Sequence, residues 1–143
     1  MADTLETLAG VLKEKGFNVT HQRLIIYQAL MESRDHPSAE DVYNRVRQTD
    51  PIISLGTVYK SLEMFENLGL IQRVNQLYHT ARYDADMSPH GHIVCRKCER
   101  IMDVFWKEPP DYPLSKAQKH GYRIDGMSVH YVGLCPQCQK KTP

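Results

Sequence analysis

Apolar residues recur at helical spacing through the first half of the chain, then shift to the alternation of strands. Residues 4–15 place Leu5, Leu8 and Leu12 on one face, a helix that Gly16 is positioned to end. Thr20 is an N-cap candidate for a second helix, with an apolar stripe of Leu24, Tyr27 and Leu30, or of Ile26 and Leu30. After Ser33-Arg34-Asp35-His36-Pro37, Ser38 with Asp41 three residues on signals a third helix start. Ala39, Val42, Tyr43 and Val46 follow at helical spacing, and Pro51 marks its end. Ser54 opens a fourth helix that turns Val58, Leu62, Phe65 and Leu68 inward, with Gly69 closing it.

From residue 70 the period falls to two. Residues 70–74 and 78–83 read as strands joined by a short turn containing Asn75-Gln76. Two short helices with a tight connection, followed by a hairpin, spell a winged helix-turn-helix whose recognition helix covers about residues 55–68. Thr57, Tyr59, Lys60 and Ser61 are its expected outward positions, suited to phosphates and base edges. Asp86-Met87-Ser88-Pro89 reads as a hinge. Beyond it, residues 92–95 and 101–105 look like strands flanking a cysteine knuckle. Pro109-Pro110 and Pro113 break the chain before a short helix near residues 114–120 that Gly121 ends, and residues 129–134 supply a last strand. The fold class expected is α+β, with a winged-helix domain over 1–84, a hinge over 85–89 and a second domain over 90–143. That second piece, about 55 residues, is small enough to need a metal or a partner subunit.

Composition narrows the class. Hydrophobic residues at 41% and charged residues at 24% describe a packed globular protein and not a disordered one. No apolar run is long enough to span a bilayer, and Met-Ala-Asp-Thr-Leu-Glu is not a secretory signal, so a cytoplasmic, membrane-free protein is expected. A net charge of +1 leaves any DNA contact to a local arrangement of Arg and Lys.

The densest chemistry lies in His90-Gly91-His92-Ile93-Val94-Cys95-Arg96-Lys97-Cys98. Two residues apart on a strand, His90 and His92 address one ion from the same face. Cys95-x-x-Cys98 and Cys135-x-x-Cys138 together form a four-thiolate set of the kind that holds tetrahedral zinc. Four cysteines in a reducing compartment favour metal over disulfides. The competing readings are a redox pair, which would not need a second copy, and four unrelated buried cysteines; a zinc deaminase would need a His-x-Glu that this chain lacks. Since zinc uses every cysteine, a second site must be built on nitrogen and oxygen. His90 and His92 are its visible core, and Asp103 lies across the knuckle where an antiparallel partner would face them. Such ligands suit Fe(II), Mn(II), Co(II) or Zn(II). Paired strand histidines are also often plain surface residues.

Thr20-His21-Gln22-Arg23, His36-Pro37-Ser38-Ala39-Glu40-Asp41-Val42-Tyr43, Gly56-Thr57-Val58-Tyr59-Lys60-Ser61-Leu62, His90-Gly91-His92-Ile93-Val94-Cys95 and the two Cys-x-x-Cys pairs resemble the ferric uptake regulator (Fur) family of bacterial metal-dependent repressors. The resemblance covers nearly all 143 residues. It implies an N-terminal winged helix joined by a hinge to a C-terminal α/β dimerisation domain. It also implies a homodimer on palindromic double-stranded operator DNA, structural Zn2+ on Cys95, Cys98, Cys135 and Cys138, and regulatory Fe2+ or Mn2+ on His36, Asp84, His90, His92 and Asp103. His36 and Asp84 come from the resemblance alone. An ion held by all five would tie the DNA-binding and dimerisation halves into one orientation.

Two details are most like the family's peroxide-sensing repressors (PerR). Asp103 stands where iron sensors usually have Glu, and Pro89, Gly91, Pro110 and Met127 stand where many iron sensors carry a further metal set. The resemblance then implies peroxide sensing by iron-catalysed oxidation of a ligand imidazole, at His36 or His90, with Mn(II) supporting DNA binding but not this chemistry. The alternatives are an iron, manganese or zinc uptake regulator of the same family, a non-haem iron oxygenase, and a zinc-stapled interaction module. No cosubstrate motif supports the oxygenase, so a non-enzyme is expected.

Among the remaining residues, Arg23 at the start of the second helix joins the DNA-contact candidates. His79, His120 and His130 are read as surface or core histidines, and His21 as either solvated or phosphate-facing. Arg73 and Arg82, on the wing, are read either as DNA contacts or as solubilising charges.

Overall fold

The computed structural model describes residues 2–74, 80–108 and 114–141. The expected turn at Asn75-Gln76, His79, and the breaks at Pro109-Pro110 and Pro113 lie outside them. The chain divides into two compact units, Met1–Met87 and Ser88–Pro143.

The first unit is a winged helix-turn-helix. Its helices are α1 (Ala2–Glu14), α2 (His21–Glu32), α3 (Ala39–Val46) and α4 (Leu55–Asn67), and its wing pairs β1 (Gln72–Val74) with β2 (Arg82–Asp84), antiparallel. Each helix start expected from a hydroxyl residue is capped by it. The side chains of Thr20, Ser38 and Ser54 accept from the backbone N–H groups of Arg23, Asp41 and Thr57, and Ser38 with Asp41 completes a reciprocal capping box. Leu8, Leu12, Ile26, Leu30, Val42, Val58, Leu62 and Phe65 meet in one core, where Tyr27 sets its edge on Phe65 with centroids 5.3 Å apart. Leu24 is only partly buried, and the α2 stripe is Ile26, Tyr27, Ala29 and Leu30.

The wing strands are shorter than alternation predicts. After α4, Gly69 turns left-handed (φ +71°) and Leu70 N–H bonds back to the Phe65 carbonyl, so Leu70 and Ile71 finish the helix terminus instead of opening a strand. Ile71 then enters the core.

The second unit is a three-stranded sheet in the order β4-β3-β5, made of β3 (His90–Cys95), β4 (Ile101–Phe105) and β5 (His130–Gly133). Its short helices are α5 (Leu114–Lys119) and α6 (Pro136–Lys140). The central β3 runs antiparallel to β4 and parallel to β5. Apolar spacing gives no sign of α6, whose apolar content is too low; Pro136 in its first turn and Cys135 as N-cap start it. Among the described residues of this unit the buried apolar set is small, Val94, Cys95 and Cys138, while Met102, Phe105, Tyr131 and Val132 of the sheet stay exposed. A core so small leaves stability to other devices. No described helix is long and apolar enough to cross a membrane.

Candidate metal centres

The four cysteines converge at the end of β3 and the start of α6. Their sulfurs all lie within 4.8 Å of one another, and Cys98 Sγ is 3.8 Å from Cys135 Sγ. Zinc–sulfur bonds of about 2.3 Å at tetrahedral angles place sulfurs about 3.8 Å apart, so the group fits zinc. The knuckle after Cys98 needs a left-handed residue, and Glu99 supplies it at φ 61°. Backbone N–H groups aim at the sulfurs: Cys135 N–H lies 3.3 Å from Cys95 Sγ and Cys138 N–H 3.4 Å from Cys135 Sγ. Such donors, from Cys98 first and then Cys135, lower the Cys95 thiol to about 6, and the Cys138 N–H lowers Cys135. The cost falls on the last thiol: Cys138, hydrogen-bonded to Cys135 and crowded by its neighbours, is pushed up to about 12. A divalent cation bound here would replace those thiol hydrogen bonds and offset the burial, so that all four sulfurs could be thiolates.

His90, His92 and Asp103 form a second group within the same sheet. His92 pairs with Asp103 in the β3–β4 register, and Asp103 Oδ1 lies 3.6 Å from His90 Nε2 and 3.5 Å from His92 Nε2. Metal bonds of about 2.1 Å put neighbouring nitrogen and oxygen ligands roughly 3.0–3.4 Å apart, so a small closure brings the trio onto one divalent ion. His90 Nδ1 sits 2.7 Å from the Ser88 carbonyl, to which it donates, leaving Nε2 to face Asp103. The His90 ring also stacks on Phe105, centroids 5.0 Å apart.

Behind this group stand two residues that spacing did not single out. His130 is opposite His92 in the parallel β3–β5 register; its ring stacks on that of His92 at 5.6 Å, and its Nε2 is 2.6 Å from Ser128 Oγ. Burial first, then charge on His92, hold the His130 pKa below the usual histidine value. Trp106 packs against Gly91: a Cβ there would lie 2.7 Å from the indole Cζ3 and 3.1 Å from the Val129 carbonyl. Only glycine fits between the two histidines. The His130 contact needs the β3–β5 pairing, which no local sequence signal gives, and the Trp106 contact needs the β3–β4 register, since Trp106 directly follows β4.

His36 and Asp84 meet in the first unit. Both are buried, with His36 Nε2 3.3 Å from Asp84 Oδ2. His36 has left-handed backbone (φ 51°) and its loop is gripped by Arg82, whose guanidinium donates to the Asp35 and His36 carbonyls. Arg82 is therefore neither of the things expected of a wing arginine: the fork is spent within the fold. His21 and His120 are exposed.

On α4, Tyr59 and Lys60 are exposed and Thr57 is half-buried, its Oγ1 2.9 Å from Ser54 Oγ. Ser61 corrects the expectation of an outward side chain: it is 4% exposed. The reason is helical geometry, since 58, 61, 62 and 65 fall on one stripe and Ser61 joins Val58, Leu62 and Phe65 on the inner face. Arg23, Thr57, Lys60 and Ser61 line one open crevice of about 220 Å³ between α2 and α4.

Comparison with known proteins agrees with this architecture. Residues 14–132 match the model of the Ferric uptake regulator family. The chain is 30% identical over 140 residues to the peroxide operon regulator of Bacillus subtilis, covering 98% of this chain and 97% of that protein. Among solved structures it resembles the ferric uptake regulator of Helicobacter pylori, described as having three functional metal binding sites, with TM-score 0.82, 25% identity and coverage of 96% and 93%. It also resembles PerR from Streptococcus pyogenes, with TM-score 0.55, 28% identity and coverage of 95% and 93%. With a winged helix, a cysteine group fit for zinc and histidine–carboxylate groups fit for a second metal, the chain belongs to the ferric uptake regulator family of metal-dependent regulators.

Proposed function

We propose that this protein is a homodimeric transcriptional repressor that binds palindromic operator DNA when its regulatory metal site is filled and releases it in response to hydrogen peroxide. Family members are transcriptional regulators, which favours this reading over an oxygenase. The observation that carries it is the His90, His92 and Asp103 trio: a nitrogen and oxygen set, held apart from the thiolates, on a chain similar to a peroxide operon regulator. Zn2+ on Cys95, Cys98, Cys135 and Cys138 would be structural. His36 and Asp84 would join His90, His92 and Asp103 around Fe2+ or Mn2+. Bound Fe(II) would supply the peroxide chemistry that adds one oxygen to the His36 or His90 imidazole with release of water, and Mn(II) would not. An oxidised imidazole is a poorer ligand, and its loss frees the DNA.

Residues 1–84 would be the DNA-binding domain, 85–89 the hinge and 90–143 the dimerisation domain, a division supported by the break in packing between Met87 and Ser88. The exposed Met102, Phe105, Tyr131 and Val132 support a second copy as the partner of the sheet. Arg23, Thr57, Tyr59 and Lys60 would face operator DNA. The cytoplasm is the expected compartment.

The second reading, an iron uptake regulator, is favoured by the higher TM-score to the Helicobacter pylori structure. Against it, Gly91 has no room for a ligand side chain and Met127 is exposed, so two of the positions aligned with a further metal set carry no hard ligand. The deciding experiment follows operator binding anaerobically by anisotropy, with Fe(II) or Mn(II) on the zinc-loaded protein, before and after near-stoichiometric peroxide. Peptide mass spectrometry on the same samples locates any added oxygen. Release confined to the Fe(II) sample, with oxygen on His36 or His90, is expected. Binding that ignores peroxide and follows metal concentration would establish the uptake regulator instead.

A further inference from the structure

Arg82 is unused by the function proposed above, yet it holds the loop that carries His36. It lies on β2 two residues before Asp84, and alternation along the strand puts both side chains on one face. Asp84 meets the His36 imidazole at 3.3 Å. Arg82 takes the backbone on either side of that residue: Nε donates to the His36 carbonyl, and Nη2 donates to the Asp35 carbonyl at 2.8 Å. In extended chain, consecutive carbonyls point to opposite sides; they turn to one side only when the residue between them is helical, of either hand. His36 is left-handed, and Pro37 after it disfavours the right-handed form. The parallel N–H donors of a guanidinium fork match the resulting carbonyl pair. Main-chain contacts close the rest of β2 on the loop: Ser38 bridges to Arg82, and Tyr83 N–H donates to the Pro37 carbonyl at 3.0 Å. Residues other than glycine seldom stay left-handed unless held.

We propose that Arg82 is a positioning residue for the regulatory metal, fixing the left-handed backbone from which His36 presents its imidazole to Asp84 and the ion. The inference rests on His36 and Asp84 being regulatory ligands. Affinity for the metal then depends on a side chain that never touches it, and the dependence is on fork geometry more than on charge.

The test titrates the zinc-loaded full chain with Co2+, whose visible bands report the nitrogen and oxygen ligands, comparing wild type, H36A, R82A and R82K. Zinc content and thermal unfolding are measured on each. R82A is expected to bind Co2+ roughly 10–100-fold more weakly, with the band pattern of H36A and zinc content unchanged. R82K, which keeps the charge without the fork, is expected to leave most of that loss in place. Wild-type bands and affinity in R82A would overturn the proposal, and so would a lower unfolding temperature with unchanged bands, which would make Arg82 a fold residue only. Full rescue by R82K would also overturn it, by assigning the effect to charge. Identical bands in wild type and H36A would sink the ligand assignment itself, a different failure from the others.

Discussion

The four-cysteine group and the histidine–carboxylate residues use metal ligands in opposite ways. All four thiols belong to the unit Ser88–Pro143, and their sulfurs already lie at zinc spacing. The proposed regulatory ligands come from both units, His36 and Asp84 from one, His90, His92 and Asp103 from the other. An ion bound wholly within one unit stabilises that unit, and four soft thiolates hold it tightly. An ion whose ligands come from two units favours one arrangement of them, and harder, exchangeable ligands let its occupancy follow the cell. The comparison teaches that, under the proposed assignment, ligand type and ligand address agree: the permanent metal would be local and sulfur-bound, the switching metal shared and bound by nitrogen and oxygen.

The largest effect should come from breaking the local site. Cys95→Ser removes a thiolate from β3 in a unit whose buried apolar set, among the described residues, is little more than Val94 and two of the cysteines themselves. Structural zinc contributes on the order of 10 kcal/mol to small zinc-dependent folds, more than this unit can lose. Near-UV circular dichroism and zinc analysis should show the metal gone and the second unit disordered. A zinc-free C95S protein that keeps its tertiary signal would make the zinc ornamental and end the contrast.

His92→Ala should do the reverse, sparing the fold and removing the switch. It deletes the imidazole that faces Asp103 at 3.5 Å, so Mn(II) binding should fall by more than about 100-fold, beyond the usual range for an outer-shell change. Zinc content should stay at the wild-type level. Equilibrium dialysis with both metals decides it; parallel loss of the two would show that the sites are not separate.

Gly91→Ala probes the strand the two sites share. The new methyl would meet the Trp106 ring at 2.7 Å and the Val129 carbonyl at 3.1 Å, and the carbonyl is fixed by its bond from His92 N–H. Overpacking of this kind costs about 1–3 kcal/mol. The expected result is a changed Trp106 fluorescence, weaker Mn(II) binding and intact zinc, because Cys95 lies four residues further along β3. Unchanged fluorescence would mean that the contact is looser than the geometry indicates.

How much of this was legible in the sequence follows the range of each interaction. Caps and helix stripes were readable because they are decided within four residues: Thr20, Ser38 and Ser54 cap where their spacing to Arg23, Asp41 and Thr57 says they should. The Cys-x-x-Cys pairs and the His90/His92 strand were readable for the same reason. Ser61 is expected outward with Thr57, Tyr59 and Lys60, but its place on the stripe of Val58, Leu62 and Phe65 is the stronger signal and puts it inside. The grip of Arg82 on the His36 loop, 46 residues away, and the stacking of His130 on His92 are long-range. Nothing local encodes them, and His36 and Asp84 themselves came only from family resemblance.

The smallest expected effect tests whether the His36 and Asp84 half of the proposed regulatory site stands apart from the zinc. Ser38→Ala removes the hydroxyl that accepts from Asp41 N–H, costing about 1 kcal/mol in a typical N-cap. The Ser38 N–H still donates to Asp41 Oδ2 at 2.9 Å. That bond is the main cause holding the Asp41 carboxyl below its ordinary value, helped by the Ser38 hydroxyl and the charges of Arg82 and Arg45 and opposed by burial. A depressed carboxyl contributes stability that is complete above its unfolded value, 3.8, and is lost as pH falls through the folded one. S38A should therefore lower unfolding stability modestly at neutral pH and keep most of the acid-side decline, whereas D41N should flatten that decline. Urea unfolding at neutral pH and below pH 4 reads both. Zinc content should not move in either variant, because the four cysteines belong to the other unit; zinc released by S38A would couple the two sites and undo the division between a local and a shared metal.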